Sequence, residues 1–553
     1  MIRIGNASGF YGDRFSAFQE MLTGGELDVL TGDYLAELTM LILGRDRARD
    51  SSLGYARTFL SQMRACLGEA LDRGVTIVVN AGGLNPAGLA AALTELAGTL
   101  GRPASIGYVT GDALDRPGAL AANAYLGAFG IAECLRGGAN IVVTGRVTDA
   151  SLVVGPAIAR YGWERTDFDR LAGATVAGHI LECGTQATGG NFAFFTELAD
   201  PLHPGFPIAE IEQDGSCVIT KHRGTGGAVT VETVTAQLLY EIDSPDYLGP
   251  DVVTRFDSIR LTGTGPDRVS VGGVRGGPPP ETLKVGVSSL GGFRNSMTFV
   301  LTGLDIDAKA ALVRDQLTEA VGPDGLEFDL ARTDHADPET TETASALLHV
   351  HLRDGDPKRA GRAFSQAVVE LALGSYPGCT LTTPPGDAVP YGVFATELVA
   401  QRSVEHTAVL PDGGRVPIAA PPVMATPPAR LSDPGARPRP TNKTTLRVPF
   451  GTVFGARSGD KGGDANVGVW ARNDSRYEWL REFLTADRIR ELLPETANLP
   501  IDRYELPNLR AVNLVIRGLL GPGVAGSTRF DPQAKALGEW LRARLVDIPE
   551  GTR

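Results

Sequence analysis

The sequence predicts an α/β protein made of an N-terminal parallel-sheet α/β domain, a mixed α+β continuation and a small C-terminal α+β domain. Three observations predict it. Over the first 160 residues, short apolar runs ending in glycine or a polar turn alternate with alanine- and leucine-rich amphipathic stretches, the pattern of βα units. From about Thr166 the pattern becomes mixed, and proline turns dense between Pro411 and Pro440. At 553 residues the chain also exceeds what one hydrophobic core supports, so more than one domain is expected.

The elements follow in order. Ile2–Ile4, Val75–Val79, Ser105–Val109 and Asn140–Thr144 read as buried strands, each running into a turn: Gly5–Gly12, Asn80–Asn85, Thr110–Asp112 and Gly145–Asp149. Ala87–Leu100 and Ala119–Arg136 carry apolar residues at three- and four-residue spacing and read as helices. Because ligands of open parallel sheets sit at the carboxyl ends of the strands, the four turns should meet at one edge. Backbone N–H groups and helix N-termini there favour an anion. In the mixed region, Val229–Leu239, Ser258–Leu261 and Leu347–Leu352 read as strands, and Asp307–Ala320 and Ala360–Leu373 as helices.

The prolines of 411–440, with the pairs Pro421–Pro422 and Pro427–Pro428, have linker composition: stiff, extended and unable to build a core. The expected domains are therefore 1–440 (parallel region 1–165, mixed region 166–410, linker 411–440) and 441–553. In the latter, Thr445–Phe454, Ala465–Ala471 and Leu509–Ile516 read as strands and Tyr477–Leu493 and Pro532–Leu545 as helices, an alternation that suits a ferredoxin-like topology.

A net charge of -13 argues against nucleic acid as the principal partner, since phosphate neutralisation needs a basic footprint. Five cysteines, odd in number and without a CxxC, suggest neither a disulfide framework nor a thiolate zinc site and fit a reducing, cytoplasmic compartment. The start MIRIGNASGFYGDR lacks the basic-then-apolar order of a secretory signal, and no apolar run has the length of a membrane span. Neither GxGxxG nor GxxxxGK[ST] occurs at the turns, so no dinucleotide or phosphate-loop fingerprint supports a cofactor. A homo-oligomer is expected from the chain length and the alanine-rich helices.

Only seven residues are lysines, which draws attention to the two inside glycine-rich segments, Lys221 and Lys461. The segment Gly455–Gly468 (GARSGDKGGDANVG) reads as a loop in which Arg457, Ser458, Lys461 and Asn466 stand beside flexible backbone to bind an anion, with Asp460 or Asp464 as a base. In Ala177–Phe192 (AGHILECGTQATGGNF), helical spacing places His179, Glu182 and Cys183 on one face, with Asn191 beyond the glycines. His179 or Glu182 suits acid–base work. Cys183 is a nucleophile if a cation or helix end stabilises its thiolate, and a packing residue otherwise. The H-x-x-E pair is only half of a metal site, and no metal is expected.

Lys221–Val229 (KHRGTGGAV) offers Lys221, Thr225, Gly226 and Gly227 as an oxyanion cradle, against the alternative of a tight strand-entry turn. At the first-domain turns the candidates are Ser8, Gly9, Asn80, Gly82, Gly83, Asp112, Gly145 and Arg146 for binding, and Asp149 for capping or catalysis. His349 and His351 alternate along a strand and are expected to face neighbours rather than a metal.

Taken together in order, SGFYGD, NAGGLNP, VTGD, TGRVTDAS, ECGTQATGGNF, KHRGTGGAV, ARSGDKGGDANVG and LPNLRAVNLVIRGLLGPGV resemble the acyclic terpene utilisation protein A family over nearly the whole chain. The resemblance implies a long N-terminal region, a ferredoxin-fold C-terminal domain, and a place in the breakdown of citronellol- and geraniol-like acids through acyl-CoA intermediates. It favours an anionic small-molecule substrate with a coenzyme A handle and assigns no catalytic residue. The leading expectation is a lyase or hydratase of a branched acyl-CoA or related carboxylate. A Cys183-dependent acyl transferase or thioesterase and a non-catalytic subunit of a partner acyl-CoA enzyme are the alternatives.

Overall fold

Runs such as TIVV and IVVT have no polar face, which suits strands covered on both sides by helices. The structure, a computed structural model, describes residues 1–426, 429–433, 435 and 444–552. β1 (Ile2–Asn6), β2 (Val29–Gly32), β3 (Thr76–Val79), β4 (Ile106–Thr110) and, after β5 (Ala119–Ala124), β6 (Ile141–Thr144) supply the parallel centre of the main sheet. The order is β1-β2-β3-β6-β4, each neighbour parallel. β7 (Pro207–Ile211) and β8 (Cys217–Lys221) extend it antiparallel beyond β1, followed by 268–272 and 260–265, and Thr407–Val409 and Arg415–Pro417 extend it beyond β4, giving 11 strands.

Two compact units divide the chain, Met1–Ser288 with Phe394–Arg553, and Ser289–Val393. In the second unit, 293–302 pairs antiparallel with Ser345–Asp354, which pairs with Leu326–Ala331. Phe299, Leu348, Val350 and Leu352 pack there against Val313, Leu317 and Phe364 of its helices. His349 and His351 point the other way, towards Thr298 and Ser296 (2.9 and 2.8 Å).

The C-terminal domain, within the first unit, is a four-stranded antiparallel sheet in the order 455–461, 464–470, 511–516, 501–506, with its own core. Asp474–Phe483 and Ala486–Leu492 are two helices where one was expected, because Thr485 caps the second through Arg488 N.

Three further expectations are corrected. Ala119–Arg136 is strand β5 followed by the Phe129–Arg136 helix, and Val229–Leu239 is a helix, Val231–Leu238, closed by a reciprocal Thr230–Thr233 capping box. Its alternating β-branched residues imitate a strand, and the cap decides otherwise. The expected linker is partly built into the fold: Arg415–Pro417 is a strand, Arg430 bonds Asp246 and Asp257, and Asp433 N–H donates to Arg503 O. Pro427–Pro428, Pro434 and 436–440 of that segment lie outside the described residues.

His406, half-buried next to Gly130, offers a test of this packing. Burial, reinforced by Arg165, pushes its pKa down to about 3. The fold therefore refuses a proton that the unfolded chain accepts below its ordinary value of about 6.5, and stability present above that value is lost as pH falls towards 3. Urea unfolding at pH 7 and pH 5 should show His406→Gln losing about 2 kcal/mol less over this interval than the parent chain. Equal losses would remove His406 as the cause.

Candidate active site

The turns that follow the parallel strands do meet, and they meet largely by bonding to one another. Asn80 accepts from Tyr34 N (2.7 Å) and donates to Asp33 Oδ1 (2.6 Å), while Asp33 N–H donates to Ser8 O. Asp112 accepts from Arg146 N (2.8 Å) and Asn123 Nδ2 (2.7 Å), and its burial raises its pKa to about 6. Gly9, Gly82, Gly83 and Gly145 permit this convergence. A Cβ on Gly9 would stand 2.5 Å from Gly184 N, on Gly82 2.5 Å from Thr144 O, on Gly83 2.4 Å from Leu43, and on Gly145 2.6 Å from the Asp112 carboxylate. Close packing, rather than an open anion cradle, accounts for these glycines.

Behind the turns lies a buried group of acids and bases. Arg146 donates to Asp149 Oδ1 (2.7 Å) and Leu35 O (3.3 Å) and lies 4.2 Å over the Tyr125 ring. The Phe168–Leu181 helix delivers His179, which is fully buried between Tyr247 and Phe256, and Glu182 one turn on. His179 Nδ1 and Glu182 Oε1 are 2.9 Å apart, the imidazole also meets the Leu238 backbone, and Glu182 Oε2 has no hydrogen-bond partner.

Burial, then the Lys461 charge, lowers the His179 pKa to about 4, so the imidazole is neutral. Burial, then Asp149 and Glu241, pushes the Glu182 pKa well above the carboxylate range, which favours its protonated form. A neutral histidine beside a carboxylic acid is a proton-donating pair, not an ion pair.

The Gly455–Gly468 segment joins this group, although not as a loop. It is a β-hairpin, Gly455–Lys461 paired with Asp464–Trp470. Its glycines admit the end of the Val231–Leu238 helix: a Cβ on Gly459 would lie 2.4 Å from the Tyr240 ring, and on Gly468 2.4 Å from Leu239. Lys461 Nζ donates to Glu241 O (2.5 Å), and Asn466 Oδ1 accepts from Glu241 N (2.8 Å). Asp460 has its pKa raised to about 7, by burial and then by Glu241 and Glu37. Arg457 lies over Tyr240 (4.4 Å) and bonds Gln186 and, at 3.4 Å, the carbonyl of exposed Asn191.

Other candidates stand apart. Ser458 Oγ accepts from Gly538 N and donates to Lys535 O, inside the C-terminal domain. The Lys221–Val229 cradle is a correction: Lys221 Nζ bonds Thr225 O (2.6 Å) and Asp267 (3.1 Å), and Thr225 Oγ1 donates to His222 O. The amides of Gly226, Gly227 and Ala228 donate to His203, Asp200 and Thr188 carbonyls, so these three are not offered to an oxyanion.

Sequence reasoning missed Asp33, Glu37, Gln237, Tyr247 and Glu241. Asp33 had a signal, since Thr31-Gly32-Asp33 repeats the Thr110-Gly111-Asp112 turn after a strand too short to be noticed. Glu241 had none. Among the described residues, no group of three or more His, Cys, Asp or Glu side chains is arranged to hold a metal ion, and no helix is long and apolar enough to cross a membrane.

Comparison with known proteins places the chain in a family. The family model described as acyclic terpene utilisation family protein AtuA matches residues 2–117 and 114–410, and the AtuA ferredoxin-like domain matches 448–547. No curated protein and no solved structure matches the chain.

Proposed function

The chain belongs to the acyclic terpene utilisation AtuA family, and from that premise we propose that it is a lyase or hydratase of a branched, terpenoid-like acyl-CoA or related carboxylate. One observation carries the reading: His179 Nδ1 and Glu182 Oε1 lie 2.9 Å apart, Glu182 Oε2 has no hydrogen-bond partner, and the charges of Asp149, Glu241 and Lys461 act on both side chains.

Both reactions need that equipment. In cleavage, a base takes the hydroxyl proton of a 3-hydroxyacyl thioester, the Cα–Cβ bond breaks, and its electron pair becomes a thioester enolate. In hydration, the base takes a proton from water as the O–Cβ bond forms, and the enolate of the intact 3-hydroxyacyl thioester results. The enolate then receives a proton at Cα from Glu182, with Lys461 supplying positive charge.

A thiol nucleophile fits less well. Burial, Glu182 and Glu241 all raise the Cys183 pKa well above its ordinary value, so its surroundings oppose a thiolate. Cys183→Ser should therefore keep turnover within about threefold, and iodoacetamide should leave the folded protein active. An acyl adduct on Cys183 in intact-mass spectra would reverse this conclusion.

The direct test incubates purified protein with branched enoyl- and 3-hydroxyacyl-CoA thioesters and follows products by mass spectrometry. Addition of water or release of two fragments is expected. If the protein neither binds nor changes any of them, the reading is abandoned.

A further inference from the structure

The reaction proposed above needs a base as well as the Glu182 acid. Asp149 is held by Arg146, Asp464 by Arg517 (2.8 Å) and Gly518 N (2.7 Å), and Glu182 is the acid, while burial, Glu241 and Glu37 disfavour the charged form of Asp460. Glu241 lies just past the Val231–Leu238 helix, where its backbone bonds both Asn466 and Lys461. Its charge acts on Glu37, His179, Glu182, Cys183, Tyr247 and Asp460, groups drawn from well-separated stretches of the chain.

The backbone at Glu241 is also unusual. Its φ of 56° is in the left-handed region, disfavoured for a residue with a Cβ and retained where surrounding bonds impose it. The C-terminal domain imposes it. Asn466 accepts from Glu241 N–H, Lys461 donates to Glu241 C=O, and two residues on Asn513 Nδ2 donates to Asp243 O (2.6 Å) while Arg517 pairs with the Asp243 carboxylate (2.8 Å). Asn466 and Asn513 are fully buried and bond each other at 2.5 Å, so the clamp is itself fixed.

We infer that Glu241 is the carboxylate that takes the proton from the substrate hydroxyl or water, and that the C-terminal domain serves catalysis by clamping it in place through Asn466 and Lys461. The inference rests on the acid–base reading of the site. Glu182 gives its proton to Cα and Glu241 receives one, so each turnover leaves a proton to return from Glu241 to Glu182 and no other reactant is consumed.

The experiment compares Glu241→Gln, Glu241→Asp and Asn466→Ala in the full-length chain, reading kcat and KM together with an infrared titration of the Glu182 carboxyl band, assigned by its loss in Glu182→Gln. Glu241→Gln should lower kcat by about 100-fold or more with KM changed by less than about threefold, and Glu241→Asp should recover about tenfold of that loss. Without the Glu241 charge, the Glu182 band should titrate at lower pH. Asn466→Ala should move kcat and the titration in the same directions, whereas a merely structural loss lowers the melting temperature and leaves the titration in place.

Turnover of Glu241→Gln within about threefold of the parent overturns the role of Glu241. An unmoved Glu182 band in Glu241→Gln overturns the pairing even if no acyl-CoA substrate is ever found, which separates this inference from the choice of reaction. An unmoved band in Asn466→Ala overturns the clamp.

Discussion

Arg146→Met is expected to destabilise the first unit by about 3 kcal/mol at pH 8, the lower end of the cost of breaking a buried ion pair by removing one partner, because the Asp149 side chain is 31% exposed. Arg146 is 5% exposed, donates to Asp149 and Leu35, and covers one face of Tyr125. Its charge also opposes the upward push that burial and Asp149 exert on the carboxyl of fully buried Asp33. Methionine fills much of the volume but leaves two acids together in low dielectric, where each disfavours ionisation of the other.

The loss should depend on pH in a defined direction. Raising a folded-state carboxyl pKa yields stability that is present at low pH and lost as pH rises through the raised value. Without Arg146, Asp33 titrates higher still, so the deficit should be larger at pH 8 than at pH 5. The double variant Arg146→Met, Asp149→Leu removes one of the stranded charges and should recover part of the loss. Urea unfolding of the two variants measures this. A single-variant loss under about 1 kcal/mol, or a double variant no better than the single, would show that the pair is solvated.

Arg146 also shows what was legible in the sequence. A buried strand followed by a glycine and charged residues at Gly145–Asp149 is a local pattern, and such patterns located the parallel sheet, its turns and the acids on them. His179 and Glu182 lie side by side for the reason the sequence offers: helical spacing puts residues three apart on one face.

Local patterns failed where tertiary packing decides. The glycines at 459 and 468 read as an open anion loop because the sequence does not reveal that Tyr240 and Leu239 press against them. The Gly226–Gly227 pair reads as an oxyanion cradle, yet its amides face carbonyls of the 188–203 stretch. Glu241 was invisible because its importance comes from a left-handed backbone set by residues more than 200 positions away, which no periodicity encodes.

The second large effect is expected at Glu182, where activity and stability should move in opposite directions. Glu182→Gln keeps shape and a hydrogen-bonding group towards His179 Nδ1 but removes the transferable proton. Loss of a positioned general acid lowers kcat by about 100- to 10,000-fold, or about 3–5 kcal/mol of barrier, with substrate binding largely kept.

The same change should not weaken the fold. Burial, Asp149 and Glu241 raise the Glu182 pKa, so above the ordinary carboxylate range the unfolded chain releases a proton that the folded chain holds. Parent stability from this group therefore falls as pH rises, and glutamine, which cannot ionise, abolishes that fall. Above pH 7, Glu182→Gln should melt at or above the parent temperature while turnover collapses, the trade expected where a strained site is kept for its chemistry. A variant that loses stability and activity together would mark Glu182 as a packing residue, because a carboxylic acid retained only for structure has no reason to be costlier than its amide.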